Sequence, residues 1–481
     1  MTRRRQRHYS TAHRPTARLT LCLCAIPALV ARAEYAVVDL GPLRDPPGAS
    51  GASVAAVNGA AQATLTSSLD AVHYRALLFS GGVTLDLGTL GGANSRASGI
   101  NAAGQVVGRA DTAAAGVTHA FVWTPGGTTG VTTNPQMTDL TPTATGNSQA
   151  TAINTAGQIA GYLAVPAQGK STNDRAFLYT AGVLTQLPLP AAGNLSTSYA
   201  YAINDAGHVV GEAYGGSATP HGFFYNGATT VEIDGLAGAG SSPLAINKND
   251  HVVGYSTTND GYDHAFAYSA GAMTDLGTLG GHYSYARGIN AAGQIVGGSF
   301  VDDADNVYHA FSTTEGGTMT DLNTRVTSKA ADWTLSEATA VSDNGIIVGV
   351  GQRAGASHGF MLRPLAAGDA NADGRVDFSD LVALAQNYNG GVPTDWEHAD
   401  FTGDGLVDFN DLVALAQNYN TIQFDLPAAA APLQGTGDFQ RDLAAAMASV
   451  PEPSVVSITA TALALLPLVR RRRKTIPDRP S

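Results

Sequence analysis

Two twelve-residue stretches crowd hard oxygen donors around a glycine: DANADGRVDFSD from Asp369 and, 31 residues on, DFTGDGLVDFND from Asp400. In the first, Asp369, Asn371, Asp373, Asp377 and Asp380 stand at positions 1, 3, 5, 9 and 12, with the Arg375 carbonyl at position 7. In the second, the same places hold Asp400, Thr402, Asp404, Asp408 and Asp411, with the Leu406 carbonyl. Gly374 and Gly405 at position 6 let the chain bend sharply. Hard oxygens at this spacing around a tight turn are what Ca²⁺ requires. Four carboxylates within twelve residues repel one another without a cation. Two calcium sites are therefore expected. A solvated acidic turn, the bland alternative, gives no reason for the duplication.

Each loop runs into the same nonapeptide, LVALAQNYN. Leu381, Leu384 and Ala385, and again Leu412, Leu415 and Ala416, recur at helical spacing, so two short helices should pair over a small core. A metal that binds only the folded form adds to its stability. This duplicated loop and helix, about 52 residues long, resembles a type I dockerin, including aspartate at position 12. The resemblance implies calcium-dependent folding, binding to a cohesin-like module and company with polysaccharide-degrading enzymes. Loop positions 10 and 11, where that family reads its partner, are here Phe378-Ser379 and Phe409-Asn410. The phenylalanines are expected to pack against the paired helix or the preceding domain.

The long segment before these loops is a repeat. I-N-x-x-G-x-x-x-G recurs at Asn101, Asn154, Asn204, Asn247 and Asn290, with degenerate copies at Asn58 and Ser342. The seven copies are 43 to 53 residues apart. Each is followed by H-A-F or a relative, at His119, His221, His264, His309, His358, Arg75 and Arg175. A D-L element comes next at Asp86, Asp139, Asp275 and Asp321, with weaker forms at Gln186-Leu187 and Asp234-Gly235-Leu236. Asn101 can open a turn through its side chain and Gly104 can take positive φ, which makes a hairpin. Four short antiparallel strands per unit of this length is the pattern of a propeller blade. A parallel β-solenoid is the alternative.

The array is staggered. EYAVVDLG at residues 34–41 is a D-L strand without a preceding H-A-F, whereas the last unit has His358-Gly359-Phe360 and then no D-L strand. Tyr35 to Leu40 is expected to complete the seventh blade and close the ring, removing exposed edges. The expected fold is thus all-β, a seven-bladed β-propeller closed by an N-terminal strand, followed by a small α-helical paired-loop domain. The markers resemble those of the HAF family of extracellular repeats, a resemblance that implies export and no particular reaction.

The repeat itself promises little chemistry. A histidine recurring once per blade lies on a ring with neighbours roughly 10 Å or more apart, too far for ligands about 2 Å from one metal ion. Arginine replaces it at Arg75 and Arg175, which points to hydrogen bonding to backbone or to the D-L aspartate. Phe121, Phe177, Phe223, Phe266, Phe311 and Phe360 read as packing between blades. Residues that break the repeat are Glu212, the cluster Asp302, Asp303 and Asp305, and Trp333 with Glu337. A pair of carboxylates could hydrolyse a glycosidic bond if held at a suitable separation, but no spacing shows convergence.

Both ends carry addresses. Six arginines up to Arg18, an apolar run Leu19–Val30 and Ala31-Arg32-Ala33 read as a secretory signal peptide over residues 1–33. Cys22 and Cys24 lie within it, so the exported chain holds no cysteine. Pro451-Glu452-Pro453, an apolar stretch and the basic run Arg470–Lys474 resemble the PEP-CTERM sorting signal of Gram-negative bacteria. That resemblance implies retention by a membrane helix, an exosortase-type processing enzyme and a destination at the surface or in an exopolysaccharide matrix. With both ends set aside, 14 basic residues face 38 acidic ones. A body this acidic argues against nucleic acid or anionic lipid as partner.

The expected organisation is signal peptide 1–33, propeller 34–364, dockerin-like domain 365–420, Ala/Pro/Gly-rich spacer 421–449 and sorting signal 450–481. The function expected is that of a non-catalytic exported repeat protein. A propeller that binds an extracellular glycan or protein is the alternative, and a polysaccharide-degrading enzyme a further one.

Overall fold

The computed structural model describes residues 35–421, apart from short internal segments at 46–50, 69, 71, 168–169, 192–193, 217–218, 239, 328–329 and 391–394. The expected signal peptide, the expected sorting signal and all but the first residue of the expected spacer lie outside the described residues. No helix among the described residues is long and apolar enough to cross a membrane.

Seven four-stranded sheets follow one another, and every strand ladder is antiparallel, which excludes the solenoid. The second blade shows how the sequence makes one. Its strands are Gly91–Ile100, Val106–Thr112, Thr118–Trp123 and Met137–Asp139. Between the first two, the Asn101 Oδ1 accepts the amides of Ala103 and Gln105, at 3.1 and 3.0 Å. Gly104 supplies the left-handed residue at φ 76°, a conformation that costs a side chain little only in glycine or asparagine-like residues. In the fifth copy Asp250 holds the same place at φ 62°.

The asparagines also tie blades together. Nδ2 of Asn58 donates to the Asn101 carbonyl, Asn101 to Asn154, Asn154 to Asn204, Asn204 to Asn247, Asn247 to Asn290 and Asn290 to Ser342, all at 3.0–3.2 Å. Ser342 is too short to continue the circuit. Asn344 closes it instead, donating to the Gly59 carbonyl at 3.0 Å.

The seventh sheet is composite. Trp333–Val341, Ile347–Arg353 and Ala356–Pro364 are completed on the outside by Tyr35–Pro42, with Val37 opposite Leu362 and Asp39 opposite Phe360. The N-terminal strand thus closes the ring as the staggered repeat requires.

Each seam between blades holds its own apolar cluster. The six repeat phenylalanines are fully buried, each worth about 1.5–3 kcal/mol by removal from water. Their positions explain the last glycine of the I-N-x-x-G-x-x-x-G pattern. Gly108, Gly161, Gly211, Gly254, Gly297 and Gly349 each lie directly across from the blade's phenylalanine. A Cβ there would fall 1.9–2.1 Å from a carbonyl oxygen of the innermost strand. That strand carries a bulge at the same level in every blade. A second seam device is a buried serine. Ser95, Ser148, Ser198 and Ser284 accept the amide of the middle residue of the preceding blade's H-A-F segment.

Candidate functional site

The histidines stand where packing and hydrogen bonding put them. Nδ1 of His119, His264, His309 and His358 lies 2.7–2.9 Å from a carboxylate oxygen of Asp139, Asp275, Asp321 and Asp39 respectively. Arg75 reaches Asp86 at 3.8 Å, and Arg175 donates to the Leu187 carbonyl at 3.3 Å. In the fourth blade the expected Asp234-Gly235-Leu236 is not the D-L element. Register places Glu232 opposite Phe223, His221 pairs with Glu232, and Ile233 is the buried apolar residue. The longer acid, two residues earlier, fills the position.

Asp303 aside, the candidate hydrolytic acids are occupied by their neighbours. Glu212 is buried and accepts the hydroxyls of Tyr201 and Tyr214 at 2.9 and 2.6 Å. Burial and then Glu212 push the Tyr214 and Tyr201 phenols well above their ordinary range. Glu337 accepts Arg287 Nε at 2.7 Å. Asp305 holds His282, Asp302 caps its own turn through the Asn306 amide, and Trp333 stands edge-on to His358 and Phe360.

The acidic loops fold as a duplicated unit. Helix α1 (Phe378–Asn387) and helix α2 (Phe409–Asn418) both begin at a capping box, Asp377 with Asp380 and Asp408 with Asp411. The loops are cross-tied to the opposite helix ends. Val376 pairs with Asn420 and Thr421 after α2, and Asn389 after α1 donates to the Val407 carbonyl. Trp396 donates through Nε1 to the Asp369 carbonyl at 2.6 Å.

Leu381, Leu384, Ala385 and Leu415 enter a core with Val376, Val407, Trp396 and Phe401, and Leu412 packs at its edge. Two expectations fail. Ala416 is exposed, because the short turn Trp396–His398 covers α1 and among the described residues nothing equivalent covers α2. Phe378 and Phe409 are 41% and 36% exposed rather than packed inside. As the first residues of their helices, they point away from the shared core.

The first and last carboxylates of each loop are the buried ones: Asp369, Asp380, Asp400 and Asp411 are 5% exposed or less. Asp369 accepts the amides of Asp373 and Gly374, and Asp380 those of Asn371 and Asp377, at 2.9–3.2 Å. The second loop repeats the arrangement: Asp400 accepts Gly403 and Gly405, and Asp411 accepts Thr402 and Asp408, at 2.7–3.0 Å. Position 5 turns to its own loop, Asp373 to the Arg375 amide and Asp404 to the Leu406 amide. Asn371 accepts the Asp373 amide, and the Thr402 hydroxyl lies 3.5 Å from Asp400.

Burial pushes Asp380 up to about 7 and Asp369 up to about 6, and raises Asp411 as well. Among the described residues no three acids, histidines or cysteines converge closely enough to hold a metal ion as placed. The donor set nonetheless fits a hard cation: paired buried carboxylates, with Asp369, Asp380 and Asp411 disfavoured as anions by burial, in loops whose bends are already formed.

The sequence does not announce what lines the propeller's centre. Along each innermost strand, the residues six and four before the repeat asparagine are small and buried in most blades. Those five and three before it, which we term axial, lie on the strand's other face and are partly exposed in all blades but for Ser242. The first axial position holds Ser53, Arg96, Gln149, Tyr199, Ser242, Tyr285 and Glu337 around the ring; the second holds Ala55, Ser98, Thr151, Tyr201, Leu244, Arg287 and Thr339. The frame repeats, whereas these positions change from blade to blade. Tyrosines cluster on one side, with Tyr162 edge-on to Tyr199 at 4.8 Å and Tyr255 edge-on to Tyr285 at 5.1 Å.

Fold and site together define a seven-bladed β-propeller joined to a paired-loop helical module. Residues 367–420, the latter part, match the family described as Dockerin type I domain. No curated protein matches the chain in sequence. Among solved structures it is similar to a puromycin hydrolase, at 14% identity and a TM-score of 0.43, over 67% of this chain and 57% of that one. It is also similar to a puromycin-hydrolyzing peptidase of Mycobacterium tuberculosis, at 12% and 0.40 over 65% and 53%. For the β-propeller domain of the Trilobed protease from Pyrococcus furiosus the values are 12% and 0.32, over 57% and 96%. The chain thus spans little more than half the length of the two hydrolases.

Proposed function

We propose that this chain is a non-catalytic exported repeat protein in which a calcium-loaded dockerin couples the propeller to a cohesin-like partner at the cell surface or in an exopolysaccharide matrix. The observation that carries the reading is the duplicated pair of buried carboxylates, Asp369 with Asp380 and Asp400 with Asp411. Two Ca²⁺ ions would be held by these four with Asn371, Asp373, Asp377, Thr402, Asp404 and Asp408 and the Arg375 and Leu406 carbonyls. Bound, the ion supplies the positive charge that lets the carboxylates stay ionised under cover. The leader, the HAF-like repeat and the PEP-CTERM-like tail support export, sorting and processing by an exosortase-type enzyme. The engagement of Glu212, Glu337 and Asp305 by neighbouring side chains favours binding over hydrolysis.

Titration calorimetry of the full chain with calcium chloride tests the core of this reading. Two binding events are expected, one lost in Asp369→Ala and the other in Asp400→Ala. Absence of heat with the unaltered chain would remove the calcium module from the account.

A further inference from the structure

Two arginines of the second blade stand together with no acid within bonding distance of either. Arg96 and Arg109 are direct cross-strand partners in the second blade, and like charges so placed destabilise a sheet. Elsewhere on the axis the same problem is solved internally, since Arg287 gives its Nε to Glu337 at 2.7 Å. Arg96 has no such acid at bonding distance. Its guanidinium donates to the Gly51 carbonyl at 2.8 Å and lies 3.9 Å over the Tyr74 ring. Asp45 acts on it only at longer range, its carboxylate being taken by the Tyr74 hydroxyl and the Ala52 amide. The Arg109 side chain makes no hydrogen bond or ion pair with any described residue and acts only at longer range on the Tyr162 hydroxyl.

Both arginines line one depression of about 300 Å³ spanning the first three blades, at the small end of the range of ligand sites. Around them are Ser53, Ser98 and Gln149. The two hydroxyls and the Gln149 amide nitrogen make no hydrogen bond to described residues, while the Gln149 oxygen accepts from Tyr162 at 3.0 Å. Tyr162 in turn stands against Tyr199. Ala55 and Ala97 are the apolar residues of the lining, and the Thr66 and Thr151 hydroxyls bond to backbone. A large apolar side chain would therefore find little to pack against, whereas a hydroxylated ring would meet the Ser53 and Ser98 hydroxyls and the Gln149 amide beside the arginines.

We propose that this depression binds a saccharide bearing a carboxylate, a uronate, with Arg96 and Arg109 converging on the acid group and Ser53, Ser98 and Gln149 on the ring hydroxyls. An anion between two guanidiniums reverses the sign of their mutual interaction, and planar forks match a carboxylate in shape. The site lies wholly in the propeller and does not depend on the calcium loops.

The full chain is titrated with trisaccharides of galacturonate, mannuronate and glucuronate, with neutral trigalactoside, and with a triglutamate peptide, in EDTA and in calcium. At least one uronate is expected to bind with or without calcium, at least tenfold tighter than the neutral sugar and the peptide, and more weakly as salt rises. Arg109→Gln and Arg96→Gln should each weaken it at least tenfold. A merely structural arginine would lower the melting temperature when replaced; relief of like charge predicts that Arg109→Gln melts at or above the unaltered chain. Binding unchanged in both variants, a lower melting temperature in Arg109→Gln, tighter capture of triglutamate, or failure of every uronate at millimolar concentration overturns the proposal.

Discussion

Nδ1 of His358 lies 2.9 Å from a carboxylate oxygen of Asp39, joining the first strand to the last across 319 residues of chain. Arg353 reaches the other oxygen at 2.6 Å. In most other blades the corresponding pair belongs to one continuous unit. Here it is the clasp of the ring.

Loss of that clasp should be measurable and modest. Asp39→Ala leaves the strand pairing but removes a partly exposed charge pair, worth about 1 kcal/mol. Deletion of residues 34–41 removes the strand itself and should lower the melting temperature far more. Thermal unfolding of the two variants side by side checks the ordering, and a deletion no worse than the point change would show an unclosed ring to be adequate.

The same carboxylate sets a pH dependence. Burial works to raise Asp39, but hydrogen bonds from His358, the Gly41 amide and Arg353 outweigh it and hold the group below its ordinary value. A depressed folded value means the stabilisation is complete above the unfolded value of about 3.9 and drains away as pH falls below it. The melting difference between the unaltered chain and Asp39→Asn should therefore shrink as the pH is taken below 4. A difference that widens in acid contradicts the assignment.

The asparagine circuit predicts a contrast between two similar side chains. Asn101→Ala strands the Ala103 and Gln105 amides and removes the bonds to the Gln105 side chain and the Asn154 carbonyl, three of its four bonds holding the turn and one crossing the seam. Leaving such groups unpaired costs about 2 kcal/mol. Asn344→Ala removes an exposed bond to Gly59 and one accepted from the Ser342 hydroxyl, which keeps the Ile346 carbonyl within reach, and should cost under half of that. Chemical denaturation of both variants gives the comparison directly.

Glycines separate in the same way. At Gly254 a methyl group would sit 2.0 Å from the Ser242 carbonyl, so Gly254→Ala must push strands apart, at about 3 kcal/mol. Gly271 turns at φ 85° with open space around it, and Gly271→Ala should cost about 1 kcal/mol from backbone conformation alone. Equal losses would mean that the close approach does not constrain the blade.

The sequence carried the architecture because its three markers repeat in step, and because the spare D-L strand at one end matches the missing one at the other. It carried the acidic loops because oxygen spacing around a glycine is local. It did not carry Glu232, since a change of acid and a shift of two residues hide the element until strand register aligns it with Phe223. Nor did it carry the axial residues. Arg96, Gln149, Tyr199 and Glu337 share no chemistry; all stand five residues before a repeat position, but only the strand pairing shows that this place lies on an innermost strand just before its bulge. The loop phenylalanines were misjudged for a different reason: apolarity predicts burial on average, yet the first residue of a capped helix projects outward.

The composite seventh blade also fixes a timetable. Tyr35–Pro42 leaves the ribosome before every other strand of the ring, and its partner Ala356–Pro364 comes after all the intervening blades. Six sheets can assemble from neighbouring segments as they emerge; the earliest one made must wait, edge uncovered, for the latest. Contacts so distant along the chain form slowly, and a waiting edge is what stray strands adhere to. The interval before the ring shuts is when this molecule is most open to misassembly.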